Sequence, residues 1–358
     1  MIGIILVGLV YLPMQVFISY YVRRWRGNRR PESNSFSSPL VVLLCARNES
    51  QILPQTLPTL LRQTLPLQIV AGDDGSTDAT KAVLEHLLEG SRHTVVSIPE
   101  AYHEHYPGKQ AALAYLEGHV RPPYFGVSDA DMWLPPTWAE TLVGVLETVP
   151  EIGAVSGPSL PQAHGLWSGF QRIEWAATLY LILAEQERGH TPPTAIGNSL
   201  WVRYQAWEST GGWKALPPTL VEDYHFMQAL IRKGWRFVWV FAPEVFAETR
   251  AEKNLGSWWH QRLRWRRAVQ NVPVLAKFYW SIQVLVPWAV LLSGWLSLGM
   301  WALAEVLPLW RLRSVLKARK ILRYLPLLLL YRYFQGILFI ILSFKRYNFY
   351  WRGRWYEG

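Results

Sequence analysis

Cysteine is almost absent from this sequence. Cys45 is the only cysteine among 358 residues, so the chain can form no intrachain disulfide and no zinc site built from several thiolates. Disulfide-stabilised scaffolds and cysteine zinc modules are therefore excluded. A chain without disulfides fits a reducing compartment, and we expect its active domain to face the cytoplasm.

Acidic residues are outnumbered by basic ones. The chain has 26 Asp and Glu against 36 Lys and Arg, a formal net charge of +10. Such a chain can bind nucleic acid, anionic lipid or a phosphorylated substrate. Much of the charge flanks apolar stretches, as in residues 23–30 and 262–267, and we find no nucleic-acid-binding module. We therefore expect a lipid bilayer as a partner, and no nucleic acid.

Half of the residues are hydrophobic, too many for a typical soluble enzyme. The length suits one catalytic domain with a few membrane segments. Residues 1–22 are predicted to form a transmembrane helix, because 1–21 carry no charge and an Arg-rich run follows. Residues 23–38 are predicted to be a basic linker. This arrangement places the following domain in the cytoplasm, with a bacterial inner membrane as the expected location.

The C-terminal part is predicted to be a membrane region over residues 277–358, ending in a basic aromatic tail. Two apolar stretches, 278–310 and 321–344, flank a basic segment, which favours a hairpin or re-entrant element within the first stretch. Arg332 lies inside the second stretch and is expected to face protein or a lipid headgroup. Residues 251–276 are predicted to form an interfacial amphipathic helix.

Residues 39–250 read as one α/β domain with a mainly parallel sheet. In such sheets ligands bind beyond the carboxyl ends of the strands. Hydrophobic periodicity predicts strands at 40–45, 68–71, 94–98 and 124–128, and helices at 54–63, 79–89, 109–118, 137–147 and 166–187.

Paired acidic residues follow two of these strands. Asp73 and Asp74 lie in a turn rich in Gly and Asp, where their carboxylates can accept hydrogen bonds from a nucleobase and ribose. A turn with a helix cap explains the same residues equally well. Asp129 and Asp131 can offer carboxylates to one divalent cation and its diphosphate, although an Asp-x-Asp motif is weak evidence alone.

Two later groups lie on predicted helices. Glu222 and Asp223 open a helix, where acidic residues usually serve as caps. Gln261, Arg264 and Trp265 share one helical face and offer an amide, a guanidinium and an indole. An amphipathic surface helix is the alternative interpretation of the second group.

In this order and spacing, the acidic groups and the Gln-x-x-Arg-Trp segment resemble the family 2 glycosyltransferases. That family includes cellulose synthase, hyaluronan synthase and lipid-glycosylating relatives. The resemblance covers residues 39–268 and implies a GT-A fold, a Rossmann-like catalytic domain with a mainly parallel sheet. It further implies Mg²⁺ or Mn²⁺, inversion at the anomeric carbon and a nucleotide-diphosphate sugar donor, with UDP favoured over GDP.

The resemblance also assigns roles to individual residues. Asp223 matches the general base, and the other positions divide between donor, metal and acceptor. The residues that match the donor side are Asp73, Asp74, Lys109, Asp129, Gln261, Arg264 and Trp265. Asp129 and Asp131 match the metal ligands. The residues that match the acceptor side are Gly197, Asn198, Glu222 and Trp265.

The acceptor is left open between a membrane lipid and a growing glycan. The small number of predicted membrane elements favours a lipid, whereas Gln-x-x-Arg-Trp is associated with processive polysaccharide synthases. A non-catalytic nucleotide-sugar-binding membrane protein and a phosphoryl or nucleotidyl transferase are remote alternatives. His103 and His105 are expected in a solvated loop, because no third metal ligand is placed beside them.

Overall fold

The computed structural model describes residues 5–24, 40–90, 92–269, 274–316, 321–344, 348–351 and 354–356. The chain divides into two compact units. Residues 28–159 and 194–250 form one, the sheet unit; residues 1–27, 160–193 and 251–358 form the other, the helical unit. Residues 160–193, which the sequence analysis included in the catalytic domain, thus cluster with the helical unit. Most of the predicted linker 23–38 lies outside the described residues.

The elements follow one another along the chain with short connections in the sheet unit. The strands are β1 (Leu40–Ala46), β2 (Leu67–Asp73), β3 (Thr94–Ser97), β4 (Tyr124–Asp129), β5 (Met132–Trp133), β6 (Ile152–Ser156), β7 (Ser159–Pro161), β8 (Ser199–Arg203), β9 (Arg236–Trp239), β10 (Ala247–Thr249), β11 (Phe349–Trp351) and β12 (Arg354–Tyr356). The helices are α1 (Leu12–Arg24), α2 (Leu53–Leu61), α3 (Thr80–Leu88), α4 (Ala101–His105), α5 (Lys109–Leu116), α6 (Trp138–Thr148), α7 (Leu166–Glu187), α8 (Tyr204–Thr210), α9 (Glu222–Arg232), α10 (Leu255–Val269), α11 (Val274–Leu291), α12 (Trp295–Leu316) and α13 (Leu325–Phe344).

The sheet unit is built on a seven-stranded sheet in the order β3-β2-β1-β4-β8-β6-β9. Strands β1 to β4 pair in parallel, and β6 pairs in parallel with β9, which confirms the mainly parallel sheet. Strand β8 runs antiparallel to both β4 and β6. The sequence analysis did not predict β6, β8 or β9. It therefore missed the reversal that brings residues 198–199 beside the end of β4.

The core of the sheet unit consists of apolar strand residues covered by helices. Val42, Leu44 and Ile69 are buried, as expected of parallel strands that read as continuous hydrophobic runs. The rings of Trp138 and Trp201 pack at a tilt, with their centroids 5.4 Å apart, at the centre. The indole Nε1 of Trp138 donates to Ser199 Oγ at 2.8 Å, which satisfies its only polar atom.

The helical unit has a separate apolar core. A π-helical segment, Leu6–Tyr11, leads into α1, and its Val7 and Tyr11 pack with Val286, Val290 and Trp301 from α11 and α12. Among the residues the structure describes, no helix combines the length and apolar character needed to cross a membrane. The transmembrane helices predicted in 1–22 and 277–358 are therefore not confirmed.

Arg332 lies in a buried polar cluster of the helical unit. Its Nε is 3.2 Å from Glu305 Oε1, and its Nη1 donates to Gln283 Oε1 at 2.8 Å. Arg332 was expected to face either protein or a lipid headgroup, and in the structure it contacts protein. The long apolar stretch 278–310 is interrupted between α11 and α12 by a turn in which Gly294 has φ +79°.

Candidate active site

The two acidic pairs meet at the carboxyl edge of the sheet. Strand β1 lies between β2 and β4, and its last residues, Cys45 and Ala46, are in register with Asp129 and Asp73. The Asp74 backbone N–H donates to Ala46 O at 2.8 Å. Parallel strands end at the same edge, which is where α/β sheets bind ligands. The fold therefore brings together residues that are more than fifty positions apart.

Asp73 and Asp74 are both buried at this edge. Oδ1 of Asp73 accepts no hydrogen bond from any residue the structure describes. A buried polar atom without a partner is costly, so this oxygen is suited to a donor group on a ligand. Oδ1 of Asp74 lies 2.5 Å from His103 Nε2.

The position of His103 differs from the expected solvated loop. His103 belongs to helix α4, and its side chain is 7% exposed where it pairs with Asp74. The pairing has a simple cause, since a buried carboxylate needs a hydrogen-bond donor. Sequence reasoning missed His103 as a site residue because the two partners are 29 positions apart.

Lys109 connects the second acidic pair to the acceptor-side segment. It opens α5, and its Nζ lies 2.5 Å from Asp129 Oδ1 and donates to Gly197 O at 2.9 Å. Burial alone would lower the pKa of Lys109, but the charges of Asp129 and Glu222 raise it above its ordinary value. Lys109 therefore stays protonated and supplies a fixed positive charge at the edge of the sheet.

Asp223 is oriented by two backbone N–H groups. Gly197 N donates to Oδ2 at 3.0 Å and Tyr224 N donates to Oδ1 at 2.8 Å. A Cβ on Gly197 would lie 3.2 Å from Asp223 Cβ, a tight contact that would require Asp223 to shift by a few tenths of an ångström. Glu222 is buried beside them. Gly197, Glu222, Asp223, Lys109 and Asp129 thus form one cluster, and the separate roles that the sequence analysis gave them stay predictions.

Gln110 holds the loop that leads to Asp223. This side chain is fully buried, and its Nε2 contacts the backbone oxygens of Trp213 at 3.1 Å and of Leu216 and Pro217 at 3.3 Å. Its Oε1 accepts from Thr219 N at 2.8 Å. A buried amide bonded on both ends fixes the backbone around it. Gln110 was not predicted as a site residue, and its only sequence signal is its place after Lys109.

Asp129 and Asp131 are the carboxylates that the sequence analysis expects to bind a metal. Asp131 is buried on the turn after β4, and Asn198 lies on the neighbouring segment with its Oδ1 accepting from Ser159 Oγ at 3.3 Å. Within the described part of the chain, no cluster of three or more His, Cys, Asp or Glu side chains could hold a metal by itself. Mg²⁺ commonly binds one or two carboxylates together with substrate phosphates, so this donor set fits a metal that arrives with a diphosphate.

Cys45 is a further residue at the same edge that the sequence analysis left unassigned. Burial raises the pKa of its thiol, and Lys109, Asp129, Asp74 and Glu222 all act on it electrostatically. The thiol is therefore protonated and unreactive at neutral pH. Its position as the second-last residue of β1, at a strand end, is the signal that would have placed it here.

Gln261, Arg264 and Trp265 belong to helix α10 of the helical unit. Gln261 Nε2 donates to Glu252 Oε1 at 3.1 Å, and the Trp265 ring packs 5.1 Å from that of Trp175. Arg262, which was treated only as part of the basic charge, lies with its guanidinium 4.4 Å from the Trp265 ring. The contacts with donor and acceptor that were assigned to Gln261, Arg264 and Trp265 stay predictions.

Known proteins resemble this chain in sequence and in fold. Residues 125–344 match the family described as glycosyl transferase family group 2. Over 188 residues the chain is 24% identical to 4,4'-diaponeurosporenoate glycosyltransferase of Staphylococcus aureus. The matched region covers 52% of this chain and 49% of that protein. The chain thus spans about half the length of the curated relatives it matches.

One solved structure is similar over nearly the whole chain. It is the mannosyltransferase PcManGT from Pyrobaculum calidifontis in complex with GDP-Man and Mn²⁺. The TM-score is 0.59 at 18% identity, over 94% of this chain and 99% of that one. At this identity the likeness concerns the fold alone.

Proposed function

Because the chain belongs to glycosyl transferase family group 2, we propose that it is an inverting, metal-dependent glycosyltransferase with a GT-A catalytic domain. It takes a sugar from a nucleotide-diphosphate donor, with UDP-sugars favoured, and transfers it to a membrane lipid on the cytoplasmic face. The observation that carries the proposal is the cluster of Lys109, Asp129, Gly197, Glu222 and Asp223 at the carboxyl edge of the sheet.

The donor side of this cluster suits a nucleoside diphosphate. Asp73 offers a base or ribose donor group a carboxylate oxygen that accepts no hydrogen bond from the described residues. Asp129 and Asp131 would hold Mg²⁺ or Mn²⁺, with the remaining ligands supplied by the diphosphate. When bound, the metal would neutralise charge that develops on the departing nucleotide. Lys109 adds a second, permanent positive charge beside Asp129.

The acceptor side has a base in a defined orientation. In the proposed reaction Asp223 takes the proton of an acceptor hydroxyl while that oxygen forms a bond to the anomeric carbon of the sugar. The bond from this carbon to the diphosphate breaks on the opposite side, and its electron pair leaves with the nucleotide. The Gly197 and Tyr224 N–H groups keep the carboxylate in place for this proton transfer.

A lipid acceptor is supported by the surface of the helical unit and by one relative. Several large apolar side chains there are strongly exposed. They include Leu292, which is 86% exposed, and Trp295, which is 87% exposed; Leu296 and Leu303 lie on the same helix as Trp295. Exposed apolar surface of this kind is typical of contact with a membrane or an apolar partner. The name of the Staphylococcus aureus relative gives 4,4'-diaponeurosporenoate as the compound that is glycosylated.

A transfer assay with matched variants tests the proposal. Membranes containing the full chain are incubated with radiolabelled UDP- and GDP-sugars and Mn²⁺ or Mg²⁺, then extracted with organic solvent. Label is expected in the lipid phase, lost with EDTA, and reduced about 10²- to 10⁴-fold in Asp223→Asn, the range for loss of a general base. Glu151→Gln is the control, because Glu151 is an exposed carboxylate that pairs with the exposed Arg236 at 3.1 Å.

The outcomes separate the alternatives. Label in a large water-soluble polymer would replace the lipid acceptor with a growing polysaccharide. Donor binding without transfer from any donor, with Asp223→Asn equal to the unmodified chain, would contradict catalysis altogether. A sugar phosphate in place of a glycosidic product would indicate a phosphoryl transferase.

A further inference from the structure

The helical unit contains a pocket of about 300 Å³ that none of the assignments above uses. Three helices form it: α7, α10 and α13. We call it the aromatic pocket, and it is lined by Trp167, Phe170, Leu255, Trp258, Leu327, Leu330, Tyr331 and Phe334. Its volume is at the lower end of the range for ligand pockets, about 300 to 1,000 Å³, so it can hold part of a small ligand or one segment of a chain.

The lining presents almost no hydrogen-bonding group, because its polar atoms are bonded elsewhere. Trp167 Nε1 donates to Glu252 O at 2.7 Å, and Trp258 Nε1 lies 3.4 Å from Glu174 Oε2. The Tyr331 hydroxyl donates to Glu174 Oε1 at 2.6 Å. The faces of these three aromatic rings are therefore what they present to the pocket. A sugar would lose its hydrogen bonds to water here and gain none, whereas a hydrocarbon would lose nothing.

The wall of the pocket is held in one shape by a buried ion pair. Glu174 accepts from Arg262 Nε at 2.9 Å as well as from Tyr331 and Trp258. The rings also pack on one another, with Phe170 edge-on to Tyr331 at 4.8 Å and stacked with Trp167 at 5.4 Å. Such packing keeps a cavity open where flexible side chains would close it. The aromatic pocket is therefore preformed.

The rim of the pocket is apolar and open to the outside. Leu255 is 58% exposed and Leu330 66%. Helix α10, which contributes Leu255 and Trp258, also carries Gln261, Arg264 and Trp265, and Trp265 is predicted to face the acceptor. One helix of the helical unit therefore carries both part of the pocket wall and Trp265, which is predicted to face the acceptor.

We propose that the aromatic pocket binds a hydrocarbon segment of the lipid acceptor, and this proposal rests on the proposed function. Burial of each methylene group in such a site strengthens binding about fourfold. The pocket thereby selects acceptors with an extended apolar chain, while the sugar donor makes no use of it.

The test pairs a rim variant with a control of the same composition. Leu255→Gln/Leu330→Gln changes two exposed leucines at the rim, and Leu285→Gln/Leu291→Gln changes two leucines of the same unit that are similarly exposed and do not line the pocket. Membranes containing each full chain are irradiated with dodecanol carrying a diazirine at the chain end, and mass spectrometry locates the adducts. Lipid transfer kinetics are measured on the same membranes.

We expect adducts on residues lining the pocket in the unmodified chain and in the control, and about tenfold fewer in the rim variant. The rim variant should raise KM for the lipid acceptor about tenfold, with kcat and the KM for the donor unchanged. Equal labelling of the rim variant and the unmodified chain, or an unchanged acceptor KM, would overturn the proposal. Specific labelling without sugar transfer to any lipid would reject the proposed function and the acceptor assignment, and would leave only hydrocarbon binding.

Discussion

Glu117 is a buried carboxyl group whose titration should be visible in the stability of the protein. It follows α5, and its Oε2 accepts from Trp213 N at 2.7 Å while Lys214 Nζ lies 3.9 Å from its Oε1. Burial raises the pKa of Glu117 from 4.5 to about 7, although the Trp213 N–H and the Lys214 charge oppose the rise. Replacing Glu117 with Gln keeps an oxygen for Trp213 and removes the titration.

The sign of the pH dependence follows from proton binding. Between pH 4.5 and about 7 the folded protein holds a proton on Glu117 that the unfolded chain has released. The free energy of unfolding therefore falls as pH rises through this range, and the loss is complete above the folded pKa. At about 1.4 kcal/mol for each tenfold change in proton affinity, the full difference is about 3.5 kcal/mol. About 2.5 kcal/mol of it falls between pH 5 and pH 8.

The measurement compares the unmodified chain, Glu117→Gln and the exposed control Glu151→Gln. Denaturant unfolding of each full chain is followed by tryptophan fluorescence at pH 5, 6, 7 and 8. We expect Glu117→Gln to gain about 2.5 kcal/mol relative to the unmodified chain on going from pH 5 to pH 8. The opposite contribution of His93, whose pKa is lowered by burial, is the same in both proteins and cancels. A difference that stays constant with pH would refute the assignment of a raised pKa to Glu117.

Three further substitutions test individual contacts. Lys109→Met removes the cation beside Asp129, and kcat/KM should fall about 10- to 100-fold with an unchanged circular dichroism spectrum; full activity would remove Lys109 from the site. Gln110→Leu leaves buried backbone groups without partners and should lower the free energy of unfolding by about 1 to 3 kcal/mol and lower kcat, while an unaltered kcat would contradict its positioning role. Arg332→Met leaves Glu305 buried without its ion-pair partner and should cost about 3 to 5 kcal/mol in thermal or denaturant unfolding. The double change Arg332→Met/Glu305→Leu should restore most of that stability, and a double variant as unstable as the single one would refute the pairing.

The strands that the sequence predicts are those with recognisable apolar runs. Residues 40–46, 67–73 and 124–129 each contain an apolar run and form a strand, and the second and third are followed by acidic turns. Strands β6, β8 and β9 were missed, because their pairing depends on neighbours far away in the chain. The helix 166–187 was predicted with the bounds that the structure gives it, since helical periodicity is a local property. Its place in the helical unit depends on contacts with distant residues, and the sequence analysis had assigned it to the catalytic domain.

The same distinction applies to the site. Asp73 and Asp129 were proposed as site residues from the sequence because acidic residues at strand ends stand out locally, and Asp223 was proposed through the family resemblance. His103, Gln110 and the Glu174 hydrogen bonds of the aromatic pocket were not, because their partners are 29 to 157 residues distant.

The sequence by itself determined the α/β order, the strand-end carboxylates and the absence of disulfides, since each depends on residues close together in the chain. Only the tertiary structure decided that Lys109 bridges Asp129 and Gly197, that Gln110 holds the loop before Asp223 and that aromatic residues of three helices enclose one apolar pocket. The physical reason is that hydrogen bonds and packing form wherever the fold brings complementary groups within reach, and no local pattern records that distance.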